Sequence, residues 1–246
     1  MNSKIILFIV FVIIFSLPLF LIQQFTGVDF AKLSLAQFGP TIAFILLAIL
    51  FKGTYISINT KISKIIIVKT IFSIIIPFLL YSVTYFIGKF LGIKLLINSD
   101  IQNIMLNYSI WIIIGAIGEE IGWRSFLQPM LDKKYPIFVS SLVVGIIWGL
   151  WHINHFINGP LFVFGFLIFS IAYSIIIMYL LKNTEYSLII SSMFHASINL
   201  SFKVFLENSY GNSKLFLIHG IIWLIAAIII VTFQREYYFK KQNTST

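Results

Sequence analysis

Gly118-Glu119-Glu120-Ile121-Gly122-Trp123-Arg124 follows an apolar run covering residues 110–117. The two acids therefore stand deep in what reads as a membrane-spanning helix. An ionised side chain at mid-membrane costs roughly 3 kcal/mol or more, so such groups are rare there and usually functional. The chain has eight acidic residues. The other six, Asp29, Asp100, Asp132, Glu185, Glu207 and Glu236, fall in predicted loops or at helix ends.

The surroundings agree with a membrane setting. Of 246 residues, 59% are hydrophobic and 10% charged, against about 25% charged in an ordinary soluble domain. Apolar runs cover residues 5–22, 38–51, 65–86, 101–127, 137–157, 161–181, 187–206 and 215–233. Most are near the ~20 residues a spanning helix needs; a β-barrel would show alternating segments of about 10. The expected fold is all-α: a polytopic membrane protein of about eight transmembrane helices, with the active site inside the bundle. Residues 1–246 read as one membrane domain without internal repeat. The first run is longer than a signal-peptide core and no small-residue cleavage pattern follows it, so it reads as a span. Pro77 marks an expected kink in the third run. The net charge of +9 needs no nucleic-acid partner, because basic loops are what membrane topology requires. The absence of cysteine excludes disulfides, thiolate catalysis and Cys-ligated metals.

Eight spans put both termini on one side. With that side cytoplasmic, inner segments hold eleven basic residues and outer segments five. The positive-inside rule then predicts cytoplasmic termini in the cell membrane, with Lys133 and Lys134 inside and Lys94 outside.

Three polar constellations carry chemistry. Glu120 and Arg124 are i,i+4 and can pair on one face. Glu119 is rotated about 100° from Glu120, so one arginine does not easily serve both. Two carboxylates in different environments suit general acid/base work; a buried structural ion network is the plainer reading. Trp148 and His152 lie one turn apart in the fifth run, with His155 three residues on. His195 and Asn199 are i,i+4 in the seventh, and Asn199 supplies a donor that cannot ionise, as an oxyanion site needs. His219, alone in the eighth run, reads as an interhelical hydrogen bond. At 1.5 Å per residue, Glu119 lies roughly 15 Å from Pro129, and His195 and Asn199 roughly 12 and 18 Å from Ser187. That predicts a shared cavity open to the cytoplasmic half. His152, roughly 24 Å from Pro136 by the same measure, is too deep for a straight helix. Either residues 128–136 dip into the membrane or the fifth helix is tilted or broken, at Gly145 or Gly149. No His-Glu-x-x-His or Gly-x-Ser-x-Gly is present and no Asp lies within a span, which removes zincin, serine-elbow and two-aspartate chemistry. The remaining Glu, His, His and Asn are parts for activating water and stabilising an oxyanion.

In these residues the sequence resembles the CPBP (CAAX protease and bacteriocin-processing, or Abi) family of intramembrane proteases, which includes the type II CAAX prenyl endopeptidases. The family shows Glu-Glu-x-x-x-Arg, aromatic-x-x-x-His and His-x-x-x-Asn. Here these are Glu119-Glu120-x-x-x-Arg124, Trp148-x-x-x-His152 and His195-x-x-x-Asn199, in the same order. Trp148 replaces the commoner Phe, and His155 has no counterpart. The resemblance spans a core of residues 108–202. It implies hydrolysis of a membrane-associated peptide or protein tail within the lipid bilayer. Glu119 and His152 would activate water, His195 and Asn199 would hold the oxyanion, and Glu120 and Arg124 would support them. No cofactor is expected; the alternative is a divalent metal such as zinc on Glu119, His152 and His195. CAAX processing, maturation of peptide signals and bacteriocin immunity are all family roles. Two rivals stay open: a non-catalytic bacteriocin-immunity or sensor membrane protein of the same fold, and a proton-coupled transporter, against which the lack of a repeat argues.

Overall fold

The computed structural model describes residues 3–51 and 58–240. Lys52 and Lys241, both counted in the topology reading, lie outside them. Helix α1 covers Ser3–Gln23. A 3-10 turn, Leu35–Phe38, leads into α2, Gly39–Leu50. Helix α3 is Lys64–Phe90, α4 Ile101–Asp132, α5 Ile137–Trp151, α6 Pro160–Leu181, α7 Leu188–Phe205 and α8 Ser213–Phe233. A short α9, Arg235–Phe239, follows. Six of these helices are long and apolar enough to cross a membrane, and α5 and the Leu35–Leu50 segment are shorter apolar helices. The protein is an all-α polytopic membrane protein.

Local chemistry sets the helix starts. The Ser63 side chain accepts from the Ile66 backbone N–H at the head of α3, and Asn212 accepts from Leu215 at the head of α8; each satisfies an amide that the first turn leaves without an intrahelical partner. Pro160 opens α6, where its missing N–H is no loss. Pro77 lies inside α3, which runs on past it.

Helix α6 packs along α8 and α5, and α7 packs along α3 and α4. In the apolar windows of α6 and α7, 67% of residues are buried, against 22% for α1 and α3. The first pair is thus the protein-facing centre and the second the lipid-facing edge. Helix α4 meets the Leu35–Leu50 segment through a stripe of small residues. A Cβ at Gly115 would press on the Gln37 side chain, and one at Gly122 would run into the Pro40 backbone, 2.7 Å from its carbonyl. At Gly122 only glycine allows this approach, and small residues are how membrane helices come close.

The fifth helix ends earlier than the sequence suggests. It runs unbroken through Gly145 and Gly149 and stops at Trp151, followed by a 3-10 turn over Ile153–Asn158. The fourth runs further, to Asp132, and residues 128, 131 and 132 are buried. The connection expected over residues 128–136 therefore shrinks to a short loop with exposed Lys133, Lys134 and Tyr135.

The two ends of the bundle differ. Asp132 accepts from Gln128 Nε2 at 2.9 Å, from Ser140 and from Tyr186 OH at 2.7 Å. Nearby, Asn59 Nδ2 donates to Thr184 O at 2.9 Å and the Leu188 N–H to Asn59 O at 2.9 Å. These bonds close the end that holds the 133–136 and 182–187 loops. Burial and the Asp132 carboxylate push the Tyr186 hydroxyl well above the usual tyrosine range, so it remains a donor. The other end, with the 24–34, 152–159 and 206–212 segments, surrounds a cavity.

Candidate active site

Glu119 and Glu120 sit on α4 just before a π-helical stretch, Trp123–Leu127. Such bulges inside α-helices recur at functional sites. Both acids are buried, and they face different partners. Glu120 Oε1 accepts from Tyr173 OH at 2.9 Å and from Arg124 Nη1 at 3.4 Å. His195 Nδ1 lies 2.9 Å from the same oxygen. An oxygen that collects these donors is an acceptor, so His195 carries its proton on Nδ1. The Arg124 guanidinium also lies over the Tyr173 ring, 4.6 Å from its centroid.

Glu119 has other neighbours. Its Oε1 accepts from Gln37 Nε2 at 2.9 Å and its Oε2 from Trp148 Nε1 at 2.8 Å. His195 Nε2 stands 4.0 Å from Oε1. The imidazole thus bridges the two acids, one ring nitrogen toward each. By charge count, two carboxylates and one guanidinium leave room for a second proton on His195.

His152 caps α5. Its Nδ1 lies 2.8 Å from Trp148 O; a carbonyl only accepts, so Nδ1–H donates and Nε2 is left as an acceptor. The ring packs on Trp148 at 4.3 Å and on Trp151 at 4.8 Å between centroids. Trp148 therefore holds both sides of the site, bonding Glu119 through its indole N–H and seating His152 on its ring. His155 stacks parallel to His152 at 5.6 Å and is held by Tyr210 OH at 2.7 Å from its Nδ1.

Glu119, His152, His195 and Asn199 all line one cavity of about 1110 Å³, together with Trp148, His155 and His219. His219 is buried, with Thr84 Oγ1 3.0 Å from its Nδ1, an interhelical bond between α3 and α8. Glu120 and Arg124 lie behind the cavity wall. The cavity occupies the end of the bundle away from Lys133 and Lys134, where the depth estimate had placed it at their end. That estimate measured from Pro129, but α4 continues to Asp132, and Gln128, Asp132, Ser140 and Tyr186 fill that end with hydrogen bonds.

Among the described residues no three His, Asp or Glu side chains converge as a metal-binding group. Each Glu119 oxygen already takes an N–H donor and His195 Nε2 is 4.0 Å away.

Gln37, Tyr173 and Tyr210 are site neighbours that the sequence motifs do not contain. Gln37 lies 82 positions before Glu119. The one signal for such a neighbour was the Gly115, Gly118, Gly122 spacing, which marks one face of α4 for close contact.

Comparison with known proteins bears on the same residues. Residues 101–201 match the family described as type II CAAX prenyl endopeptidase Rce1-like. The match covers the middle of the chain. All three motifs of the site fall within it, whereas Gln37, Tyr210 and His219 lie outside. Among curated relatives, the chain is 26% identical over 141 residues to CAAX prenyl protease 2 of Methanococcus maripaludis, covering 53% of this chain and 51% of that protein. It is 27% identical over 259 aligned positions to lysostaphin resistance protein A of Staphylococcus haemolyticus, covering 97% of this chain and 69% of the relative. For the Staphylococcus epidermidis protein of the same name the figures are 28% over 216 residues, 83% and 56%. The chain spans between about half and about two thirds of the length of these relatives.

Proposed function

We propose that the chain is an intramembrane endopeptidase that hydrolyses a membrane-associated peptide or protein tail. The observation that supports this most strongly is Glu119 on the cavity wall, held by the donors Gln37 and Trp148, with His195 and Asn199 on the facing helix. A water molecule beside Glu119 gives its proton to the carboxylate as its oxygen attacks the scissile carbonyl carbon. His152, whose Nε2 is an acceptor, orients that water by taking a hydrogen bond from its other hydrogen. The carbonyl oxygen becomes an oxyanion and takes hydrogen bonds from Asn199 and from protonated His195 Nε2. When the C–N bond breaks, the proton held by Glu119 passes to the leaving amine, and the carboxylate is restored. Glu120 and Arg124 act through His195: the acid fixes which ring nitrogen faces the cavity, and the guanidinium balances its charge.

No metal enters this scheme. The CAAX prenyl protease name of the archaeal relative favours a lipidated C-terminal peptide as the first substrate to try. The staphylococcal relatives carry a resistance name, which favours a second reading: a non-catalytic protein of the same fold that protects the cell. One experiment separates them. A fluorogenic prenylated peptide and a resistance phenotype are assayed on wild type and Glu119→Gln, with and without a strong chelator. The expected outcome is that Glu119→Gln loses about 10²–10⁴ in cleavage rate, the usual contribution of a general base, and that chelator leaves wild type unaffected. A wild-type phenotype from properly inserted Glu119→Gln would overturn the enzyme reading. Loss of cleavage with chelator, restored by added metal, would overturn the metal-free scheme.

A further inference from the structure

We infer that the cavity is served from the non-cytoplasmic side of the membrane, so that its substrate is a peptide or protein segment exposed at the outer leaflet. The substrate part of this rests on the endopeptidase reading; the orientation does not.

Two independent observations meet here. The first is where the open space lies. The cavity is lined by the second half of α1, the segment before α2, the end of α5, the start of α6, the second half of α7 and the start of α8. In an alternating bundle these all belong to one end. Hydrogen bonds join the loops of that end to one another: Asn98 N–H to Val204 O at 2.9 Å, His155 to Tyr210, and Ser213 Oγ to Asn158 O at 3.3 Å. No residue of the 133–136 or 182–187 loops lines the cavity.

The second observation is charge. The closed end carries Lys4, Lys61, Lys64, Lys133, Lys134, Lys182, Arg235 and Lys240 among the described residues, and Lys69 reaches it from within α3 by donating to Lys182 O. The open end carries Lys32, Lys89, Lys94, Lys203 and Lys214, and of these Lys203 is paired with Glu207 at 2.8 Å. Arg124, counted inward from the sequence, is fully buried beside Glu120 and leaves the tally. The excess of loop lysine and arginine orients a polytopic protein with that side in the cytoplasm. The closed end is therefore cytoplasmic and the open end is not.

The mouth also suits an amphiphilic substrate. Ile13 and Leu17 of α1 line the cavity, and most of α1 is not buried in the bundle, so an apolar segment in the outer half of the bilayer meets apolar surface at the cavity.

The chain has no cysteine, which makes the test direct. Lys94→Cys and Asn154→Cys stand at the open end and Lys134→Cys at the closed end, all at exposed positions. Each full-length variant is treated with a membrane-impermeant maleimide in intact cells and in inverted vesicles. The inference expects positions 94 and 154 to label in intact cells and to lose labelling in inverted vesicles, with position 134 the reverse. Labelling of 94 and 154 only in inverted vesicles would overturn it. Because labelling needs no catalysis, failure of the orientation is read separately from failure of the endopeptidase assay.

Discussion

Two buried acid clusters stand at different heights of the same bundle, one around Asp132 and one around Glu119. Both carboxylates are buried and both collect hydrogen bonds. Asp132 takes Gln128, Ser140 and Tyr186; Glu119 takes Gln37 and Trp148. Burial and hydrogen bonding alone do not separate them. What separates them is access and company. Glu119 faces a cavity of about 1110 Å³ and has an imidazole nitrogen 4.0 Å away. Asp132 does not line that cavity and is surrounded by groups that tie α4, α5 and the loop before α7 together. A buried carboxylate closed in by its partners is a fastener. One that is held by donors yet open to water is placed to take a proton.

Three substitutions sharpen that contrast. The largest effect is expected for Glu120→Gln, behind Glu119. It removes the charge that faces Arg124 and orients His195, and breaking a buried ion pair costs about 3–5 kcal/mol. Chemical denaturation in detergent should show that loss, and activity should fall with it; unchanged stability would mean that the pair is not holding the bundle. Asp132→Asn comes next. The amide keeps the size but turns one acceptor into a donor against Gln128 Nε2 or Tyr186 OH, and a buried mismatch of this kind costs about 1–3 kcal/mol. The folded fraction should keep its cleavage rate; a variant that is stable but inactive would erase the distinction between the two clusters. Gln37→Leu is read in rate rather than in stability. One hydrogen bond to a charged group is worth about 1.5–3 kcal/mol, and its loss should appear in kcat more than in KM. Gln37→Glu keeps the length without the donor and should not rescue it. Full activity of Gln37→Leu would show that the segment before α2 does not help to place Glu119.

Much of this was legible in the residues, for a physical reason. Long apolar runs report contact with lipid, and the eight runs correspond to the eight apolar helices. Lone polar residues in those runs are expensive, so Glu119, Glu120, His152 and His195 stood out, and all four meet in space. Other features depend on packing that hydropathy does not record. Gln37 and Tyr173 are ordinary polar residues at a helix start and in an apolar helix, and only the fold brings them to the acids. The end of α5 was placed too late because His152, Ile153 and Phe156 extend the apolar pattern while the backbone turns. The side on which the cavity opens was misplaced because depth along a helix says how far a group lies from one end. It does not say which end is filled. The polar residues 128, 132, 140 and 186 fill one end with mutual hydrogen bonds, and that pairing runs across three separate segments.

The central claim is that Glu119 activates the water. Its most direct test is single-turnover cleavage by purified Glu119→Gln beside Asp132→Asn, with each rate normalised to the folded fraction. The account predicts a fall of about 10²–10⁴ for the first and a wild-type rate for the second. Wild-type turnover from folded Glu119→Gln would contradict it.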